Sequence, residues 1–197
     1  GLLLPWLSTA ITLQSPLQAL TPNHAEAIGL LPGEWGWALP LARLACLADA
    51  AALERLRSSR ALQERVRRLR QGWQLLAQCP WAELGEPQRF DLHSNLEADL
   101  PALLLMVPPN GDHAQLLQRW RDPADPLCHP RPPLDGNRLQ QVLQRGPGPW
   151  LGRLLRHLSQ ERAWGRLAAD ASEATVLEAA RQWLDTTAAA DGTPRRD

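Results

Sequence analysis

From 133 to 184 the chain runs PLDGNRLQQVLQRGPGPWLGRLLRHLSQERAWGRLAADASEATVLEAARQWL, with apolar residues returning every three or four positions. That period puts them on one side of an α-helix and excludes a strand, whose faces alternate every second residue. Glycine and proline cut the run into three pieces. Asp135 is placed to cap the first, which carries Leu139, Val142 and Leu143 on one face. Arg145-Gly146-Pro147-Gly148-Pro149 stops it and starts the next, because glycine suits the position after a helix end and proline suits the first helical residue. In the second piece Leu151, Leu154, Leu155 and Leu158 make the apolar face, with Arg153, Arg156 and Arg162 off it. Asp170 or Ser172 caps the third, which repeats the pattern with Val176, Ala180, Trp183 and Leu184.

Upstream the same period persists, and no strand-period segment or internal repeat stands out. After a lead-in over 1–31, with a helix beginning near Thr21 and Pro22 at its first position, 31–37 reads as a loop with Trp35 and Trp37 filling the core. A helix is predicted over 39–48, with Leu41, Leu44, Ala45 and Ala48 inward. Asp49 caps a short helix over 50–57, and Ser58 or Ser59 caps a long one. There Leu62, Val66, Leu69, Trp73 and Leu76 form the buried stripe, leaving Arg60, Glu64, Arg67, Arg68 and Gln71 outward. The stretch 79–93 reads as irregular. Ser94 and Glu97 have the spacing of a capping box for a helix through Val107 that Pro101 kinks or restarts. Its run Leu103 to Val107 is apolar all round and predicts deep burial. Asp112 caps a further helix bearing Leu116, Leu117 and Trp120. The fold class is therefore all-α without a sheet: a helical body over 1–121, a proline-rich connector over 122–133, a small helical tail over 134–187 and a disordered terminus over 188–197.

Charge enters through distribution. The chain holds 21 arginines, no lysine and 21 acids, for a formal net charge of zero. Arginines 55, 57, 60, 65, 67, 68 and 70 face only Glu54 and Glu64, a local balance of +5. Arginines 131, 138, 145, 153, 156, 162 and 166 face only Asp135 and Glu161, again +5. Two such blocks make either one phosphate-facing surface or two solvated helix faces. Cys46, Cys79 and Cys128 are odd in number and lack a CxxC pair, which argues against a disulfide framework and a zinc site and points to a reducing cytoplasm. The adjacent Cys128 and His129 read as structural. His24, His93, His113, His129 and His157 are scattered, without a metal-ligand spacing, so an independent enzyme is the remote reading. Leu2-Leu3-Leu4 is too short for a signal peptide or a membrane span, and a start without methionine reads as a piece of a longer protein.

The tail resembles that of bacterial class II tRNA nucleotidyltransferases (CCA-adding enzymes) and poly(A) polymerases. The likeness rests on Pro133-Leu134-Asp135-Gly136-Asn137-Arg138-Leu139, then Gly148-Pro149-Trp150-Leu151-Gly152-Arg153-Leu154-Leu155, then Ala163-Trp164-Gly165-Arg166, in that order. Either half alone is common punctuation; the ordered pair with the closing helix is fairly specific. A looser likeness to the same family's body covers 41–47 and 52–61. Gly136, Leu139, Gly148, Pro149, Gly152, Leu155 and Gly165 are thus signature positions, and the immediate role expected of the glycines is to permit close helix packing.

This resemblance implies the tRNA-holding C-terminal region of such a protein, orienting the RNA 3′ end for nucleotide addition by a catalytic head. The family's head supplies a glycine-serine turn and an aspartate-x-aspartate pair for Mg and ATP or CTP. Neither motif occurs here, nor does the neck pattern glutamate-aspartate-x-x-arginine, so the chain is expected to be inactive alone and to hold no cofactor itself. The choice among CCA, CC, A and poly(A) belongs to those regions. The implied partners are the acceptor arm and TΨC region of tRNA, together with the head on the same polypeptide. Arg60, Arg67, Arg68, Arg153 and Arg156, with the amides opening the helix at Pro149, are the candidate RNA contacts. The alternative is a noncatalytic helical scaffold or dimerisation module without RNA affinity.

Overall fold

The computed structural model describes residues 14–109 and 113–190. These contain eleven α-helices, one 3-10 turn and no strand, so the protein is all-α. The chain divides between Pro123 and Ala124 into two compact units.

The first unit holds α1 (Gln14–Ala19), α2 (Pro22–Ala27), α3 (Pro32–Leu47), α4 (Ala50–Arg55), α5 (Arg60–Gln78), α6 (Glu86–Leu96), α7 (Leu100–Met106) and α8 (His113–Arg121). Its centre is α7, every residue of which is buried, packed against α3, α5 and α6. Seven consecutive apolar residues leave a helix no face to offer water, so it becomes the interior. Around it α3 also meets α1, α2 and α5. The caps at Thr21, Asp49 and Ser59 are in place, each side chain accepting from the amide three residues on. Of the long helix's stripe, Val66 and Leu69 are buried while Leu62, Trp73 and Leu76 are half-buried.

Four expectations for this unit are corrected. The stretch 31–37 is the start of α3, not a loop: Pro32 opens the helix, and the Leu31 amide donates to Glu34 Oε2 at 2.8 Å. Trp35 is therefore half-buried and Trp37, 36 % exposed, is no core filler. Pro40 sits inside this helix, on an exposed position, and not in its first turn as expected; it supplies no amide to bond the Gly36 carbonyl four residues before it. The stretch 79–93 is not irregular. Trp81–Glu83 is a 3-10 turn, and α6 follows, capped by Gly85, whose amide donates to Gln88 Oε1 at 3.0 Å. Gly85 and Pro87 read as loop punctuation but serve a helix start. Ser94 and Glu97 make no capping box, since Ser94 lies within α6 and Glu97 ends it. The next helix opens instead after Asp99, and Pro101 falls in its first turn. Finally, α4 ends at Arg55, and Arg57 takes a left-handed φ of 54°. The expected cap Asp112 lies outside the described residues.

The second unit holds α9 (Gly136–Leu143), α10 (Pro149–Ala163) and α11 (Glu173–Ala190). Its core is Leu139, Leu154, Leu158, Leu167, Val176, Leu177 and Ala180, with Val142, Leu143, Leu151, Leu155, Trp183 and Leu184 packed around it. Asp135 caps α9, and Ser172 rather than Asp170 caps α11, its Oγ accepting from the Thr175 amide at 3.2 Å. The left-handed residue closing α9 is Gln144, at φ 52°, and not the expected Gly146. The Arg145 amide then donates back to Gln140. The last helix extends through Ala190, so 188–190 are helical and not disordered, as an alanine run favours; 191–197 lie outside the described residues.

Candidate nucleic-acid interface

On α5, Arg60, Glu64, Arg67, Arg68 and Gln71 stand at helical spacing on the outward side. Ser59 sets the helix start and the buried Val66 and Leu69 set its rotation, so the sequence pattern alone turns these arginines out. The face is less positive than its arginines suggest. Glu64 accepts from Arg67 Nε and Nη2 at 2.7 and 2.6 Å and from Arg68 Nε at 2.7 Å. Hydrogen bonds from Arg67 and then Arg68 pull the Glu64 carboxyl down to about 2, so it stays ionised through the neutral range. Arg67 Nη1 also donates to Gln71 Oε1 at 2.8 Å.

Two other arginines of the same block are structural. Arg65 clamps Asp99, which is 6 % exposed, through three hydrogen bonds of 2.6 to 3.1 Å. Arg70 donates to the Ala45 carbonyl at 2.8 Å, tying α5 to α3. A bidentate clamp on Asp99 was invisible in the sequence because the partners are 34 positions apart.

On α10, Pro149, Gly152, Arg153 and Arg156 share one exposed face, and Leu151, Leu154, Leu155 and Leu158 take the opposite one. Just before it Arg145 lies over the Trp150 ring at 5.1 Å, and Trp150 Nε1 donates to the Gly146 carbonyl at 2.9 Å. The arginines of α5 and those of α10 thus belong to different units. Three more arginines of the second block are engaged: Arg138 with Glu173, Arg166 with Glu161, and Arg162 with the Ala169 carbonyl.

The signature glycines do not share one packing role, which corrects that expectation. Only Gly136 faces a neighbouring helix closely, where a Cβ would come within 3.2 Å of Leu151 Cδ2. Gly148 precedes Pro149 and would meet its own Trp150 ring at 3.0 Å. Gly165 takes a left-handed φ of 69° after α10, a conformation that favours glycine. Gly152 has no neighbouring atom within 4 Å of an added Cβ. Leu139 is fully buried and Leu155 half-buried.

A cleft of about 210 Å³ opens between α5 and α6, lined by Arg68, Gln71, Gln88, Asp91 and Asn95 over Gly72, Leu75, Leu92 and Leu96. The sequence does not reveal it, because a stretch 79–93 that reads as irregular offers no helical face for Gln88 and Asp91. Among the described residues no three His, Cys, Asp or Glu side chains converge on a common metal position, and no helix is long and apolar enough to cross a membrane. No family model, curated protein or solved structure matches the chain.

Proposed function

We propose that this chain is the RNA-holding C-terminal region of a tRNA nucleotidyltransferase or poly(A) polymerase-like protein. It would grip the acceptor arm and TΨC region of tRNA while a catalytic head, with Mg and ATP or CTP, adds nucleotides to the 3′ end. The observation that carries the reading is the exposed face of α10. Gly152 in a helix costs roughly 1 kcal/mol against alanine and here returns no packing, yet it lies between Pro149 and Arg153 on the arginine side. A residue without a side chain there lets a phosphate backbone come close to the helix while Arg153 and Arg156 fork onto its oxygens. A-form stems suit such a grip, because they are recognised mainly by shape and backbone.

The test is fluorescence anisotropy of a labelled acceptor–TΨC minihelix at two salt concentrations. Binding should weaken with salt, and Arg153→Ala with Arg156→Ala should flatten the log–log slope by roughly one unit per lost phosphate contact. Unchanged affinity and slope in the double variant would reduce this face to a solvated surface.

A second reading, a scaffold or dimerisation module, is favoured by Leu31, Leu47 and Leu56, which are 55 %, 45 % and 51 % exposed. It predicts a concentration-dependent mass in light scattering and indifference to RNA.

A further inference from the structure

The α5/α6 cleft combines an apolar floor with a rim of amides. Gly72 makes the floor possible: its missing side chain lets Leu92 and Leu96 of α6 lie against α5, where a Cβ would come within 2.8 Å of Leu96 Cδ1. Gln71 accepts from Arg67 and Gln88 accepts from the Gly85 amide, each through its side-chain oxygen, so what each has left to offer a ligand is its amide nitrogen, a donor. Asn95 adds a donor and an acceptor, and Asp91 adds a carboxylate. Arg68 is bound through Nε to Glu64 and only loosely through Nη1, at 3.5 Å to the Asn95 carbonyl.

We infer that this cleft takes a single nucleobase with its adjoining phosphate, the base lying against Leu75 and the phosphate meeting Arg68. The inference rests on the RNA-holding reading for its choice of ligand. Size supports it: 210 Å³ is below the roughly 300–1,000 Å³ of drug-sized pockets and suits one small ring system. Chemistry supports it too, since Asn and Gln amides match the paired donors and acceptors of base edges, and a carboxylate accepts from an exocyclic amine. Unstacked bases of single-stranded RNA are recognised in this way. The cleft also borders the face bearing Arg60 and Arg67, so a strand following those arginines passes its mouth.

The test is titration of the ¹⁵N-labelled full chain with the four nucleoside 5′-monophosphates, and with inorganic phosphate as control. Nucleotides should shift the side-chain amide resonances of Gln71, Gln88 and Asn95 and the backbone resonance of Gly72. Gln71→Ala and Asn95→Ala, both at exposed positions that do not threaten the fold, should each weaken binding about five- to tenfold. Unmoved resonances, or shifts that inorganic phosphate reproduces in full, would overturn the inference. Hairpins with and without an unpaired 3′ strand separate the sources of the base: cleft shifts only with the strand assign it to RNA, and shifts only with free nucleotide assign a nucleotide site. Salt-dependent RNA binding with the cleft unmoved sinks the cleft alone. Nucleotide binding without RNA affinity sinks the RNA-holding reading alone.

Discussion

Gly72→Ala sets two effects of known sign against each other. Helix propensity favours alanine in the middle of α5 by about 1 kcal/mol. Against this, the new Cβ would stand 2.8 Å from Leu96 Cδ1, 3.2 Å from Leu92 Cδ1 and 3.3 Å from Leu103 Cδ2, where carbon contacts settle near 3.5–4.0 Å. All three neighbours are methyl ends, which would give way cheaply at a surface. Here Leu92, Leu96 and Leu103 are 4 %, 1 % and 0 % exposed, so none can swing into solvent. Overpacking of this kind costs about 1–3 kcal/mol, and the net expectation is destabilisation by about 1 kcal/mol. Gly152→Ala is the control. It lies in a helix with nothing within 4 Å, so only the propensity gain remains, about 0.5–1 kcal/mol of added stability. Urea unfolding followed by tryptophan fluorescence and circular dichroism measures both. A Gly72→Ala protein as stable as the parent would refute the argument, because it would mean that α6 and α7 yield freely at this contact.

Two further outcomes follow from side-chain partners. Arg65→Ala leaves the buried Asp99 carboxylate without its clamp and should cost about 2 kcal/mol, less than a fully buried pair because Arg65 is itself half-exposed; a loss below about 0.5 kcal/mol in urea unfolding would show that water replaces the guanidinium. His157, stacked on Trp183 at 5.6 Å, has its pKa lowered below 6.5, first by burial and also by Arg166, with Glu161 opposing. The folded state therefore holds fewer protons than the unfolded chain below pH 6.5, so this contribution is complete above 6.5 and is lost as the pH falls through the window down to the folded value. Unfolding of the second unit at pH 7.5 and 5.5 should show that loss in the parent and less of it in His157→Gln; equal pH dependence in both would refute it.

Where sequence reasoning succeeded, the signal was local. The stripes of α5, α9, α10 and α11 and the caps at Asp49, Ser59 and Asp135 each depend on residues within one or two turns, and they alone orient the arginines of α5 and α10 outward. It failed where one residue type has two local uses. Gly85 and Pro87 open α6 as readily as they would make a loop, and the cap at Gln88 decided which. Pro32 and Gly33 likewise begin α3 because Glu34 reaches back to Leu31 and also holds Arg121, with Oε1 and Oε2 each at 2.6 Å.

The sequence by itself determined that the chain is all-α, where most helices start, and which side of α5 and α10 carries arginine, because a 3.6-residue period and a capping side chain are complete within a single helix. Only the tertiary structure decided that Asp99 takes Arg65, that Gly72 is filled by leucines of α6 and α7 while Gly152 stands open, and that a cleft exists beside Arg68. Which rotamer a side chain takes, and which distant element fills the space beside a glycine, depend on packing between segments far apart in the chain. Helical periodicity carries no record of those distances.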